Sequence, residues 1–124
     1  MTNTAISHTP YDPIAVFERT QLQENAGVCA LINDVQVAVF YLPKETPCVF
    51  ALHNWDPVGK ANVLYRGIVG DIGGERVVAS PLYKHHFSLD TGRCLEDDAI
   101  RIPVYEAHLD GDTVTITLLP LRHK

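Results

Sequence analysis

Three oxygen-bearing side chains, Asp56, Ser80 and Tyr83, occur in two loop-like stretches of the chain and could do chemistry together. A serine beside a carboxylate suggests hydrolysis, which needs a histidine base within hydrogen-bond reach of the serine hydroxyl. The sequence places no histidine between these residues. We therefore predict that the three oxygens hydrogen-bond one another and the loop backbones, since an unpartnered buried polar group costs about 1–3 kcal/mol.

The histidines nearest to these stretches are candidate metal ligands. His53 precedes the first stretch, and His85 and His86 follow in the second. Adjacent residues of a strand point to opposite faces, so at most one of His85 and His86 can face a given site. Zinc needs about four convergent donors, and the Cys and His spacings match no common zinc motif. We predict no metal site and expect these histidines at surface or loop positions.

The cysteines are the remaining candidates for chemistry. Cys29, Cys48 and Cys94 are widely spaced and odd in number, with no Cys-x-x-Cys pair, which argues against a disulfide framework. No base or helix N-terminus lies beside any of them in the sequence, so a catalytic thiol is not expected. Cys29 falls in an apolar strand pattern and is predicted to be a small buried hydrophobic residue.

The two stretches carry longer motifs, and we call them the first arm (residues 54–66) and the second arm (residues 80–87). The first arm begins Asn54-Trp55-Asp56-Pro57 and closes at Leu64-Tyr65-Arg66-Gly67. The second follows Val78-Ala79, begins Ser80-Pro81-Leu82, and leads to Thr91-Gly92 and then Cys94-Leu95-Glu96-Asp97. Pro and Gly in both arms favour loops between strands.

Together the arms resemble the cluster-binding half of a Rieske iron–sulfur domain. That family has Cys-Pro-His in the first arm, and Cys-Pro-Trp-His-Gly, a Phe and a closing Thr-Gly in the second. The positions that fall in register here are Asn54, Pro57, Gly67, Pro81, Phe87, Leu89, Asp90, Thr91 and Gly92. The four ligand positions are instead occupied by Asp56 and Val58 in the first arm and Ser80 and Tyr83 in the second. A Rieske cluster needs two thiolates and two imidazoles, so the resemblance implies the shell without the cluster.

One family combines the Rieske-like shell with the loss of all four ligands. Over residues 13–118 the chain resembles that family, the small subunit of the cytoplasmic NADH-dependent assimilatory nitrite reductase. The resemblance implies that siroheme, an iron–sulfur cluster and FAD all belong to the large subunit, where nitrite is reduced to ammonia. This chain would then carry no cofactor and no catalytic residue, and would bind and support the large subunit. The alternatives are a stand-alone Rieske-like binding or regulatory module, and a ring-hydroxylating ferredoxin, against which the missing ligands argue.

The tips of the arms, residues 54–66 and 82–87, are predicted to contact the large subunit. In a cluster-bearing Rieske domain a partner approaches this tip to exchange electrons. Here the tip carries Trp55, Tyr65, Lys84 and His85, a mixture of aromatic anchors and polar groups that suits an interface. The competing interpretation is that such side chains fill the space left by the cluster, which would bury Tyr83.

Composition limits the other classes of function. The chain has 124 residues and a net charge of −5 with scattered basic residues, which argues against nucleic-acid binding. The acidic run 96–98 is predicted to be a solvated loop. No apolar run approaches the roughly 20 residues that cross a bilayer, and the N-terminus does not resemble a signal peptide. We expect a cytoplasmic protein that does not bind membranes.

Short apolar runs separated by Gly, Asn and Asp turns predict an all-β fold, a Rieske-like antiparallel β-sandwich or small barrel with both arms at one end. A turn over residues 20–27 is expected to end at Gly27, and residues 35–42, apolar on both faces, should lie between two packed layers. The predicted strands are 14–17, 28–32, 35–42, 48–53, 67–72, 75–80, 100–109 and 113–118. Residues 13–119 should form a single domain, with a flexible lead-in at 1–12 and a tail at 120–124.

Overall fold

The computed structural model describes residues 12–120 of the chain, and side chains are described for residues 12–118. The predicted lead-in therefore lies outside the described residues except for Asp12, and the predicted tail lies outside them except for Pro120. No helix in the described part of the chain is long and apolar enough to cross a membrane.

The described residues form an all-β fold, which confirms the predicted fold class. The strands are β1 Ile14–Glu18, β2 Ala26–Ile32, β3 Val35–Tyr41, β4 Val49–His53, β5 Trp55–Asp56, β6 Ala61–Asn62, β7 Ile68–Ile72, β8 Glu75–Ala79, β9 His86–Ser88, β10 Val104–Asp110 and β11 Thr113–Pro120. Two 3₁₀ helices span Arg19–Gln21 and Leu64–Arg66.

The strands pair into three antiparallel sheets. The largest is nearly closed and has the order β1-β11-β10-β4-β3-β2. A three-stranded sheet has the order β7-β8-β9, and β5 pairs with β6 inside the first arm. Because β4 ends at His53, immediately before the first arm, and β8 ends at Ala79, immediately before the second, each arm extends directly from a strand.

Strand β3 lies between two cores, as its two apolar faces predict. Val37 and Val39 belong to an inner core built from the strands of the six-stranded sheet. Ala38 and Phe40 belong to an arm-side core that also contains Leu64 of the first arm. Alternate side chains of a strand point to opposite faces, so the apolar run from Val37 to Phe40 supports both cores at once.

The predicted strand 100–109 is too long at its start, because β10 begins at Val104. The backbone N–H of Ile102 donates to the carbonyl of Gly92 at 2.9 Å, and Arg101 forms an isolated antiparallel β-bridge with Arg93. Residues 100–102 therefore hold the Thr-Gly turn rather than extending the hairpin. At the other end β11 continues through Pro120, two residues beyond its predicted end.

The prediction that Gly27 ends a turn is wrong. Gly27 lies inside β2 opposite Phe40. The turn conformation belongs to Asn25, whose φ is 59°. A Cβ on Gly27 would lie 2.5 Å from the carbonyl oxygen of Tyr65 and 2.6 Å from the Phe40 ring. Glycine at this position lets the base of the first arm approach β2 closely.

Candidate functional site

The first arm is attached to the barrel by the buried side chain of Asn54. Its Oδ1 accepts the backbone N–H of Tyr65 at 2.9 Å, and its Nδ2 donates to Oε1 of Gln36 at 3.1 Å. The backbone N–H of Asn54 also donates to the backbone carbonyl of Gln36 at 2.9 Å. Asn54 thereby connects the two ends of the arm to β3, and Gln36 is the partner that sequence reasoning missed.

Asp56 and Ser80 join the two arms to each other. Both side chains are fully buried, and the Ser80 hydroxyl donates to Oδ2 of Asp56. The other carboxylate oxygen, Oδ1, accepts the N–H groups of Val58 at 2.8 Å and Gly59 at 3.0 Å. The structure thus contains the hydrogen bonds predicted for these two oxygens, and three donors compensate the burial of one carboxylate.

The two arms turn in the same way around this pair. The N–H of Lys60 donates to the carbonyl of Asp56 at 2.7 Å, and the N–H of Lys84 donates to the carbonyl of Ser80 at 3.2 Å. In each arm the donor lies four residues after the acceptor. Each lysine has a left-handed backbone, with φ of 59° at Lys60 and 63° at Lys84. The arms are therefore matched turns related through the hydrogen bond between Asp56 and Ser80.

Apolar contacts close the remaining space between the arms. A Cβ on Gly59 would lie 2.4 Å from Cδ1 of Leu82, so the side chain of Leu82 rests directly on the backbone of the first arm. Val58, at a second ligand position, is partly buried and packs against the arm-side core. Side chains of the arms themselves therefore occupy the space between the arms.

Tyr83, at the fourth of the predicted ligand positions, does not share in the hydrogen bonds predicted for the three oxygens. Its side chain is 66% exposed, so it is not part of the buried hydrogen-bonded pair. Because Asp56, Ser80 and Leu82 already fill the space between the arms, the ring of Tyr83 is directed outward. The alternative in which Tyr83 fills the cluster space is therefore wrong.

The residues predicted to contact a partner differ in exposure. Trp55 is 39% exposed and Lys84 is exposed, while Tyr65 and His85 are half-buried. Tyr65 packs against the arm-side core, and the guanidinium of Arg66 lies 5.4 Å from the centre of its ring. Trp55 and Lys84 are therefore accessible on the arms, whereas Tyr65 supports the first arm from within.

The three histidines near the arms do not converge on one point. His53 Nδ1 lies 3.2 Å from the hydroxyl of Tyr105, and burial lowers the pKa of His53. His86 Nδ1 lies 2.5 Å from Oε2 of Glu96. His85 Nδ1 is buried and has no hydrogen-bond partner among the described residues. Within residues 12–120, no group of three His, Cys, Asp or Glu side chains could hold a metal ion.

The cysteines have different surroundings. Cys29 is half-buried rather than buried as predicted, and its Sγ lies 3.6 Å from Nδ2 of Asn54 at the base of the first arm. Cys94 is fully buried in the arm-side core. Burial raises the pKa of both thiols, which makes them less reactive as nucleophiles.

Comparison with known proteins agrees with this geometry. Residues 13–117 match the family model of the Rieske-like [2Fe-2S] domain. The nitrite reductase (NADH) small subunit of Escherichia coli (strain K12) is 43% identical over 90 residues, which are 73% of this chain and 82% of that protein. The chain belongs to the Rieske-like nitrite reductase small-subunit family.

This small-subunit family member is also similar to a solved structure and to part of a longer protein. The solution structure of the nitrite reductase [NAD(P)H] small subunit from Erwinia carotovora is 35% identical, with a TM-score of 0.71, and the match covers 90% of this chain and 95% of that one. The nitrite reductase [NAD(P)H] large subunit of Klebsiella oxytoca is 40% identical over 79 residues, which are 64% of this chain but 8% of that protein.

The donors present in this small-subunit family member do not fit the [2Fe-2S] cluster that the wider family name implies. Val58 has no lone pair, and Asp56, Ser80 and Tyr83 offer oxygen where iron in such clusters takes thiolate and imidazole. In addition, the Asp56 carboxylate already accepts three hydrogen bonds, one of them from the Ser80 hydroxyl. Binding of a cluster would have to break that pair and replace it with poorer ligands.

Proposed function

We propose that this chain is the non-catalytic small subunit of a cytoplasmic NADH-dependent nitrite reductase. It binds the large subunit and supports the reduction of nitrite to ammonia there, in nitrate assimilation. It carries no cofactor and no catalytic residue of its own. Siroheme, an iron–sulfur cluster and FAD are expected on the large subunit.

The hydrogen bond between Asp56 and Ser80 is the observation that carries this proposal. It connects the two arms at the positions where the Rieske pattern has its two cysteines, so that protein groups themselves join the arms there. A rigid β scaffold with two closed loops at one end is suited to binding another protein.

The match to a large subunit supports the choice of partner. In the Klebsiella oxytoca protein a segment similar to this chain makes up 8% of a large-subunit polypeptide. A domain that is part of one polypeptide in one protein and a separate chain in another is expected to pack against the same neighbour in both. The arms are the proposed contact, with Trp55 and Lys84 exposed and Tyr65 and His85 half-buried.

The proposal is tested by expressing this chain with and without the large subunit of the same enzyme. We expect the two chains to purify together, NADH-dependent nitrite reduction to fall when this chain is omitted, and the isolated chain to be colourless, without iron or sulfide. Stoichiometric iron and sulfide in the isolated chain would disprove the ligand argument. A folded chain that does not bind the large subunit would favour the stand-alone binding module instead.

A further inference from the structure

The two arms have a charge opposite to that of the rest of the chain. The chain as a whole has 10 Lys and Arg residues against 15 Asp and Glu residues. The arms contain three of these basic residues, Lys60, Arg66 and Lys84, and only one acidic residue, Asp56. Asp56 is fully buried and bound by three donors. The charge that the arms present to solvent is therefore positive.

These three cations have no acidic partner, in contrast to three of the four arginines elsewhere in the described chain; the fourth, Arg101, donates to the Thr91 carbonyl at 3.5 Å. Arg19 pairs with Asp112, Arg76 with Asp90 and Glu45, and Arg93 with Glu75 and Asp98. Within residues 12–120, no carboxylate pairs with Lys60, Arg66 or Lys84. Arg66 donates instead to the hydroxyl of Tyr65 at 2.9 Å, which leaves its charge uncompensated. Unpaired cations at one end of an acidic molecule form a surface that attracts negative charge.

The backbone at Lys60 and Lys84 gives independent support. Five non-glycine residues of the described chain have a positive φ, and the other three, Asn25, Asn33 and Asp34, are of the types that tolerate it. Lysine is not favoured in this conformation, and glycine would adopt it without strain. The turn itself therefore does not explain a lysine in both arms. Strain retained at matched positions indicates that the side chains have a function.

Apolar side chains are also exposed on the two arms that carry these cations. Trp55 is 39%, Leu82 is 44% and Tyr83 is 66% exposed, and Leu82 rests on Gly59 next to Lys60. We call the surface formed by Trp55, Lys60, Arg66, Leu82, Tyr83 and Lys84 the arm surface. An aromatic and aliphatic centre beside charged groups is typical of a protein interface, in which the centre loses water and the rim stays wet.

We propose that the arm surface binds an acidic patch on the large subunit, whose carboxylates pair with Lys60 and Lys84 around an apolar centre. This proposal rests on the proposed function, which names the large subunit as the partner. It adds the chemistry of the contact: negative charge on the partner, and the two left-handed lysines as the residues that recognise it.

The experiment compares charge reversals at the two ends of the molecule. One variant carries Lys60→Glu and Lys84→Glu, and the control carries Lys44→Glu. Lys44 is also exposed, but it lies in the loop between β3 and β4, at the end of β4 opposite to the first arm. The Kd for the purified large subunit with its cofactors is measured for each at low and at high salt.

We expect the double reversal to raise Kd about tenfold or more at low salt, because two attractive contacts become repulsive. Added salt should weaken binding of the wild-type chain more than binding of the variant. Lys44→Glu should leave Kd within about twofold of wild type, since it changes net charge far from the contact. An unchanged Kd for the double reversal, or equal weakening by Lys44→Glu, overturns the proposal.

A second variant, with Lys60→Gly and Lys84→Gly, separates folding from binding. Glycine suits the left-handed backbone, so the Tm should equal or exceed that of the wild type while Kd rises. A lower Tm would show that the lysines serve the fold and would overturn the proposal. If the wild-type chain itself does not bind the large subunit, the proposed function fails. If the wild-type chain binds and the lysine variants bind equally well, only the present inference fails.

Discussion

Replacing Ser80 by alanine tests the hydrogen bond that joins the arms. The substitution removes one hydroxyl, which donates to Oδ2 of Asp56 and accepts the N–H of Leu82 at 3.4 Å. Asp56 keeps its two backbone donors, from Val58 and Gly59, and stays buried. The change therefore isolates the contact between the arms and leaves the turn of the first arm in place.

The size of the effect follows from the charge of the acceptor. A hydrogen bond to an ionised group contributes about 1.5–3 kcal/mol, more than the roughly 1 kcal/mol of a neutral pair. The oxygen that is lost is small, so a cavity adds little. We expect Ser80→Ala to lower the free energy of unfolding by about 2 kcal/mol. For a domain of this size that corresponds to a fall in Tm of roughly 6–10 °C.

The assay is urea denaturation followed by the fluorescence of Trp55, the only tryptophan, which is adjacent to Asp56 and reports on the first arm. Circular dichroism of the same samples reports on the whole sheet. Tyr83→Phe is the matched control, because it also removes a hydroxyl from a ligand position. That hydroxyl is on a side chain that is 66% exposed, so its loss should change stability by less than about 0.5 kcal/mol.

A stability of Ser80→Ala equal to that of Tyr83→Phe would refute this reasoning. It would mean that the hydroxyl contributes nothing to holding the arms together. A double-mutant cycle with Asp56→Asn checks the partner, since the effects of Ser80→Ala and Asp56→Asn should be non-additive if the two side chains interact. Additive effects would place the interaction of Ser80 elsewhere.

Two further predictions concern the base of the first arm and the acid stability of the chain. Gly27→Ala should lower the free energy of unfolding by about 1–3 kcal/mol, because the added Cβ would collide with the Tyr65 carbonyl and the Phe40 ring. The control is Gly70→Ala in β7, where an added Cβ has nothing within 4 Å. Equal stabilities of the two variants in urea would contradict the close approach of the first arm to β2. Burial lowers the pKa of His53 below its ordinary value of 6.5, so the unfolded chain binds more protons and stability should fall as pH drops through 6.5. His53→Gln should remove that part of the slope in unfolding titrations, and an unchanged slope would assign it to other groups.

The sequence by itself determined the features that depend on neighbouring residues. Asn33-Asp34, Gly73-Gly74 and Gly111 lie between consecutive predicted strands, and each has the positive φ that these residue types tolerate. The double apolar pattern of residues 35–42 predicted a strand between two cores, and β3 contributes to both. Such features follow from local backbone preferences and from the period of the side chains, so a sequence displays them directly.

The tertiary structure decided which side chains meet and which face solvent. Gln36 binds Asn54, and Cys29 lies beside it, only because β2, β3 and the first arm come together. Tyr83 is exposed because Asp56, Ser80 and Leu82 had already filled the space in front of it. Lys60 and Lys84 occupy equivalent positions in two matched turns, although they are 24 positions apart in the chain. Contacts of this kind depend on how the strands pack, and no local pattern of residues encodes that packing.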